Sequence, residues 1–319
     1  MKNTTTEVRK SRRDVLLGAA AAGVAATAVP GVSQAAKMPL RLDDPAWNRD
    51  TFARLQGNLD FGKVKYGSYE GTVCGVRDNE IVRPLMGFEG FSCARLIDNG
   101  DGSYQKVLRE LVFYKDLQTG EILETYLNPY TNEEVRVVPV ANDPFNVVIE
   151  KYYPKGPSYG GLRKQDDERK PMLLPFRVIS DTTVALASDI HLYYPSALQP
   201  DEWPRESSGK MVRVSEMFRY VIPRADLEDP TKTSIEYTGS WSRITPWLPW
   251  MLMGQAPGHI YYIGTMGGYD NLDMVSPQVL AYAEKHFPKY FDAPTKWEEP
   301  SLSSLEDYAR TQKPAPVKK

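Results

Sequence analysis

Cysteine and histidine are scarce in this sequence, with two of the first, Cys74 and Cys93, and three of the second. Two cysteines supply neither a disulfide framework nor a thiolate metal-site spacing. With three scattered histidines, a zinc site of ordinary composition lacks its ligands, so no metal is expected. A G-x-S-x-G elbow, a phosphate-binding loop, an H-E-x-x-H pair and a C-x-x-C pair are all missing, and Met266-Gly267-Gly268 lacks the dinucleotide pattern. No bound cofactor is expected. After residue 36 no apolar run approaches the ~20 residues that cross a bilayer, so the mature chain is expected to have no integral membrane span. An excess of basic residues is lacking too. Residues 1–36 hold five Lys/Arg and two acids, against 39 and 41 in the whole chain, so the remainder carries a net charge near −5. A mildly acidic surface argues against nucleic acid as a partner.

What is present begins with an export pattern. Arg9, Lys10, Arg12 and Arg13 precede an alanine-rich apolar run from Leu16 to Val29, broken at Pro30 and closed by the small residues Ser33 to Ala36. Paired arginines before a run of ~14 apolar residues read as a cleavable twin-arginine signal over 1–36 rather than an anchor. The expected partner during export is the twin-arginine translocase, and the expected location is the periplasm.

Beyond it, ~280 residues suffice for one large β-rich domain, expected over 37–292 with a loosely ordered tail over 293–319. A helix is expected from Pro45 to Leu55, capped by Asp43 or Asp44, and another after Ser276 and Pro277, with Val279, Leu280, Ala283 and Phe287 at helical spacing. Between them the chain alternates as strands over 66–76, 85–96, 105–115, 121–127, 134–140, 145–153, 176–194, 210–223, 234–245 and 259–266. Turns such as Asn99-Gly100-Asp101-Gly102 join them, and the polar stretch 154–171 reads as a lid or flexible insertion. The class is mainly β: an antiparallel β-barrel, calycin or lipocalin-like, with short N- and C-terminal helices. A hairpin turning at Asp78 to Glu80 sets Cys74 opposite a residue near 85, away from Cys93.

The strand Met211 to Ile222 carries Val212, Val214, Glu216, Phe218, Tyr220 and Ile222 at even positions, which places Glu216 on an otherwise apolar face. A carboxylate there needs a partner or a proton, which makes it either a general acid or base, or half of an internal ion pair tying strands together. Arg243 shares a face with Tyr237, Gly239 and Trp241, and Arg95 shares one with Phe91 and Glu89, so each offers a guanidinium beside an aromatic wall. Asp189 and His191 stand two apart on one side of a strand, a spacing suited to proton transfer or to metal ligation. Pro246-Trp247-Leu248-Pro249-Trp250 is barred from a central strand by its prolines and reads as the floor of a pocket or the plug of a barrel.

Several runs, Tyr69-Glu70-Gly71-Thr72, Phe88-Glu89-Gly90-Phe91, Val140-Ala141-Asn142-Asp143-Pro144, Ser215-Glu216-Met217-Phe218 and Ser240-Trp241-Ser242-Arg243 among them, resemble the bacterial family catalogued as domain of unknown function 1838. The resemblance covers nearly the whole mature chain and implies an exported protein without an assigned mechanism. Glu216, His191, Asp189 and Arg243 are the candidate catalytic residues. Trp241, Arg95, Glu89, Asn142, Trp247, Trp250, Tyr220 and Phe218 are the candidates for binding a hydrophobic or aromatic small molecule. Two functions fit: a cofactor-independent lyase, isomerase or hydrolase, or a periplasmic carrier that holds the same kind of molecule unchanged.

Overall fold

A computed structural model describes residues 37–141, 146–153, 169–297 and 302–317. The expected signal over 1–36, Asn142 and most of the expected lid lie outside the described residues. Asp44 caps α1 (Pro45–Gln56) by accepting from the Ala46 N–H at 2.8 Å, with Pro45 in the first turn. The strands follow as β1 (Lys65–Val76), β2 (Arg83–Asp98), β3 (Tyr104–Lys115), β4 (Thr125–Asn128), β5 (Glu133–Arg136), β6 (Val140–Ala141), β7 (Val147–Ile149), β8 (Phe176–Val178), β9 (Thr183–Pro195) and β10 (Met211–Pro223). After a short α2 (Arg224–Glu228) come β11 (Tyr237–Thr245), β12 (His259–Tyr269), α3 (Pro277–His286) and α4 (Ser304–Thr311). The β2–β3 turn places Gly100 at φ 76° and Gly102 at φ 82°, backbone that side chains with a Cβ resist.

All the long strands are antiparallel neighbours in one ten-stranded sheet, ordered β6-β3-β2-β1-β12-β11-β10-β9-β8, with β7 also on β3; β4 and β5 pair separately. The fold is therefore mainly β with short helices. No ladder joins β8 to β6 or β7 among the described residues, so the sheet is continuous and no closed barrel is found among them. Near that opening the chain does touch itself. The Tyr153 N–H donates to the Lys170 carbonyl at 3.0 Å and the Met172 N–H to the Lys151 carbonyl at 2.8 Å.

Both faces are used. Val73, Met86, Phe88, Tyr114, Ile260 and Tyr262 pack inward with Trp247, Trp250 and Met251, while Val184, Leu186, Tyr220 and Ile222 pack with Trp47, Leu227 and Ile235. On the other face of β2 and β3, Phe91, Cys93, Leu111 and Phe113 are covered by Val279 and Ala283 of α3 and by Tyr290. Cys74 and Cys93 are both buried and free; Cys74 sits opposite Pro84, and the Cys93 thiol donates to the Tyr290 carbonyl at 3.0 Å. Within the stretch expected as a loose tail, α4 forms, because Ser303 and Glu306 complete a reciprocal capping box that the composition of the tail obscures. No helix among the described residues is long and apolar enough to cross a membrane.

Candidate functional site

In three strands the inward-facing row passes from buried to partly buried side chains. In β10, Val212, Val214, Tyr220 and Ile222 are buried, whereas Glu216 and Phe218 between them retain accessible surface. The same change occurs in β9 between Leu186 and Ser188, and in β1 between Val73 and Tyr69. Side chains that point into a core yet stay accessible line a space that the core does not fill.

Glu216 sits directly across from Arg243 in the β10–β11 register, and Phe218 across from Trp241. The Arg243 Nε lies 3.5 Å from Glu216 Oε1, and the Trp241 indole N–H donates to Oε2 at 3.3 Å. The carboxylate is thus held from two sides by one strand. Around Trp241 stand Tyr262 at 5.5 Å, Phe88 at 5.6 Å and Tyr69 at 6.3 Å between ring centroids, largely edge to face. A Cβ at Gly264 would meet the Phe88 ring at 2.8 Å, so a bare backbone lets that ring lie over the strand. Tyr114 and Tyr262 share a hydroxyl hydrogen bond of 2.9 Å. Burial pushes the Tyr262 phenol well up, with Tyr114 adding to it; burial likewise raises Tyr220 to about 12. Tyr69 is raised by burial first and by the charge of Glu110, against an opposing hydrogen bond to Ser92. These phenols stay protonated at neutral pH and can donate. Carboxylate, guanidinium, indole and phenols together can exchange a proton with a ligand and bind a group of either polarity.

Arg243 and Tyr262 also line a cavity of about 80 Å³ together with Trp247 and Trp250. The prolines take the chain out of β11 into a 3₁₀ turn, Pro249–Met251, which sets Trp250 at 5.2 Å from the Tyr114 ring. Trp247 anchors its indole N–H on the Ala256 carbonyl at 3.0 Å.

Of the residues singled out from the sequence, the structure brings together Glu216, Arg243, Trp241, Phe218 and Tyr220, with Trp247 and Trp250 beyond Arg243. Asp189 and His191 do share a side of β9, but it is the outer one. Ile190 pairs with Glu216 and His191 with Ser215, so the two faces are opposed. His191 Nδ1 is 3.0 Å from the Ser215 hydroxyl, and Asp189 takes both Arg219 guanidinium nitrogens. Glu89 and Arg95 also face outward. Glu89 accepts from the Ser276 N–H at 2.6 Å and pairs with Lys115 at 2.6 Å, fastening the start of α3 to the sheet. Arg95 pairs with Asp292 at 2.9 Å. No cluster of three His, Cys, Asp or Glu side chains fit to hold a metal occurs among the described residues.

Residues overlooked in the sequence join the inner face from β3 and α1. Lys106 donates to Gln56 Oε1 at 2.7 Å, and Gln56 donates to the Tyr220 hydroxyl at 3.3 Å. Lys106, Leu108, Glu110, Val112 and Tyr114 alternate on β3 just as the even residues do on β10. The alternation that singles out Glu216 thus also marks Lys106 and Glu110. Burial lowers the Lys106 ammonium to about 8, with Glu110 opposing.

The sheet residues of this site lie within 62–312, the span matched by a family model described as protein of unknown function (DUF1838). No curated protein matches the chain.

Proposed function

The chain belongs to the DUF1838 family, and from its inner-face site we propose that it is an enzyme of acid–base type that acts on a hydrophobic or aromatic small molecule without a bound cofactor. The observation that carries this reading is Glu216, a carboxylate on an apolar sheet face that keeps part of its surface accessible, held by Arg243 at 3.5 Å and the Trp241 indole at 3.3 Å. Glu216 takes or gives the proton. Arg243 orients it and receives negative charge that develops on the ligand, while Tyr69 and Tyr262 supply neutral donors. Lyase, isomerase and hydrolase chemistry all fit such a set.

In this reading the sheet coils around the ligand as a calycin-like barrel. Support comes from the inner-face aromatic cluster shared by β1, β2, β11 and β12, and from the backbone bonds of 151–153 to 170–172, which follow β7 and precede β8. Export through the twin-arginine route to the periplasm is part of the same proposal and rests on Arg12, Arg13 and the apolar run after them.

The test is incubation of the mature chain with a metabolite extract, followed by untargeted mass spectrometry. The wild type depletes a compound that Glu216→Gln leaves intact while the variant keeps its circular dichroism and melting temperature. A carrier without chemistry, the alternative, gives a compound that co-elutes unchanged with both proteins.

A further inference from the structure

The cavity of about 80 Å³ beside Arg243 is lined by α4 as well as by the sheet, and its lining is of a particular kind. Aromatic rings come from Tyr194, Trp247, Trp250 and Tyr308, and two carboxylates come from Glu206 and Asp307. Glu206 is 4 % exposed, yet only one of its oxygens is used: Oε1 accepts from the Ala315 N–H at 2.6 Å, and Oε2 has no hydrogen-bond partner. A buried carboxylate oxygen without a donor is costly and calls for a positive or donating group. Arg243, the basic residue on this wall, is already matched by Glu216 at 3.5 Å, so the balance of charge facing the cavity is negative. Burial also holds the Asp307 carboxyl above its ordinary range, against the pull of Lys289 and Arg310.

We propose that this cavity is a subsite for an organic ammonium group, held by the Glu206 and Asp307 carboxylates inside the rings of Trp247, Trp250 and Tyr308, at one end of the ligand whose body reaches Glu216. The proposal rests on the reading of the inner face as a ligand site and adds the class of ligand, an amphipathic amine or quaternary ammonium compound. A diffuse cation suits aromatic faces, which offer negative quadrupole but no lone pairs. A divalent metal requires several oxygen or nitrogen ligands, and no such cluster occurs among the described residues. The volume accommodates on the order of five water-sized groups, the scale of a headgroup rather than of a whole ligand.

The experiment is calorimetric titration of the mature chain with choline chloride, beside its uncharged carbon isostere 3,3-dimethyl-1-butanol. Choline is expected to bind at least about tenfold more tightly, the scale of a desolvated cation–π contact. Glu206→Gln keeps an oxygen for the Ala315 N–H and so retains that hydrogen bond, but it is expected to weaken choline about tenfold or more. Asp307→Asn, on a helix whose capping box it leaves intact, is expected to weaken it in the same direction. Equal affinity for choline and the isostere, absence of saturable choline binding, or choline binding indifferent to both variants overturns the subsite. Because the extract assay with Glu216→Gln is independent of choline, a failed subsite with surviving turnover removes only the ammonium class. Loss of turnover removes the enzyme reading itself.

Discussion

A single register step decides which titratable residues can meet. Glu216 and Ser215 are neighbours in sequence, yet Glu216 faces Trp241 and Arg243 while Ser215 faces His191 on the outside. His191→Ala is therefore expected to leave turnover within about twofold of wild type, whereas Arg243→Met lowers it by at least about two orders of magnitude, as when a positioned electrostatic group is removed. Steady-state rates of the two variants check this contrast. Lysines and tyrosines on the inside give a second, pH-dependent expectation. Lys65 and Lys106 are both lowered to about 8 by burial, so the folded chain releases protons near pH 8 that the unfolded chain keeps to about 10.4. Unfolding of these two sites then takes up protons in this window, and their contribution to stability rises from pH 8 to 10. Above about pH 10 the sign reverses. Tyr220, Tyr237 and Tyr262 are raised in the folded state, so their stabilisation is present below the unfolded phenol's pKa and lost as pH climbs through it. Burial raises the Cys93 and Cys74 thiols as well, which works against the lysines over the same window, so the lysine effect is read as a difference: the urea midpoint of Lys106→Met relative to wild type should fall as pH rises from 8 to 10. A difference that stays constant across that window contradicts the Lys106 assignment.

Elements were the most legible level of the sequence. Alternation over 210–223 yields β10 to within a residue, the strand expected over 85–96 is β2 short of two residues at each end, and Asp44 and Ser276 cap helices where the side-chain chemistry requires it. Short or irregular pieces were not legible. The expected strand 121–127 starts only at Thr125, because Gly120 at φ 73° and the Asp116 turn hold the chain before it. Which face of a strand points inward was also hidden where both faces are apolar. Phe88 and Phe91 are both buried, one against Trp241 and the other beneath α3. That is why Glu89 and Arg95 look like pocket residues in the sequence, whereas in the folded chain they anchor the start of α3 and the segment around Asp292. Glu89 carries its own prediction. Burial raises its carboxyl, but Lys115 and the Ser276 N–H and hydroxyl outweigh that and bring it below the ordinary range. Its stabilisation is present above the unfolded carboxylate's pKa of about 4.3 and is lost as pH falls through the lower folded value. Glu89→Gln should therefore lower the melting temperature at pH 7 and narrow its difference from wild type as pH drops below about 4, read by calorimetry. Gly264→Ala tests the aromatic wall: a Cβ there collides with the Glu70 carbonyl and comes within 2.8 Å of Phe88, which forces both to move. A loss of at least about 1–3 kcal/mol in denaturant titration is expected, with a changed Trp241 environment in near-ultraviolet circular dichroism.

At the scale of the whole molecule, sequence patterning reaches the class and family but not the closure of the sheet. Periodicity reports each strand's two faces and says nothing about whether the first and last strands meet. That depends on the edges at β6, β7 and β8. Contacts between distant segments are hidden for the same reason. Nothing local in Trp203-Pro204-Arg205-Glu206 announces that Ala315 returns to bond Glu206, or that Tyr308 stacks edge-on to Trp203 at 5.8 Å. Export is testable on the full chain, since replacing Arg12 and Arg13 together by lysine should hold the precursor in the cytoplasmic fraction, as seen by immunoblot after fractionation. The most direct test of the proposed inner-face enzyme is native mass spectrometry of Glu216→Gln purified from its own host, because a variant that binds but cannot turn over retains its substrate. The predicted result is a small-molecule adduct on Glu216→Gln that is absent, or replaced by a product mass, on the wild type and lost again in Trp241→Ala. Bare protein in all three, or one identical adduct on all three, contradicts catalysis at Glu216.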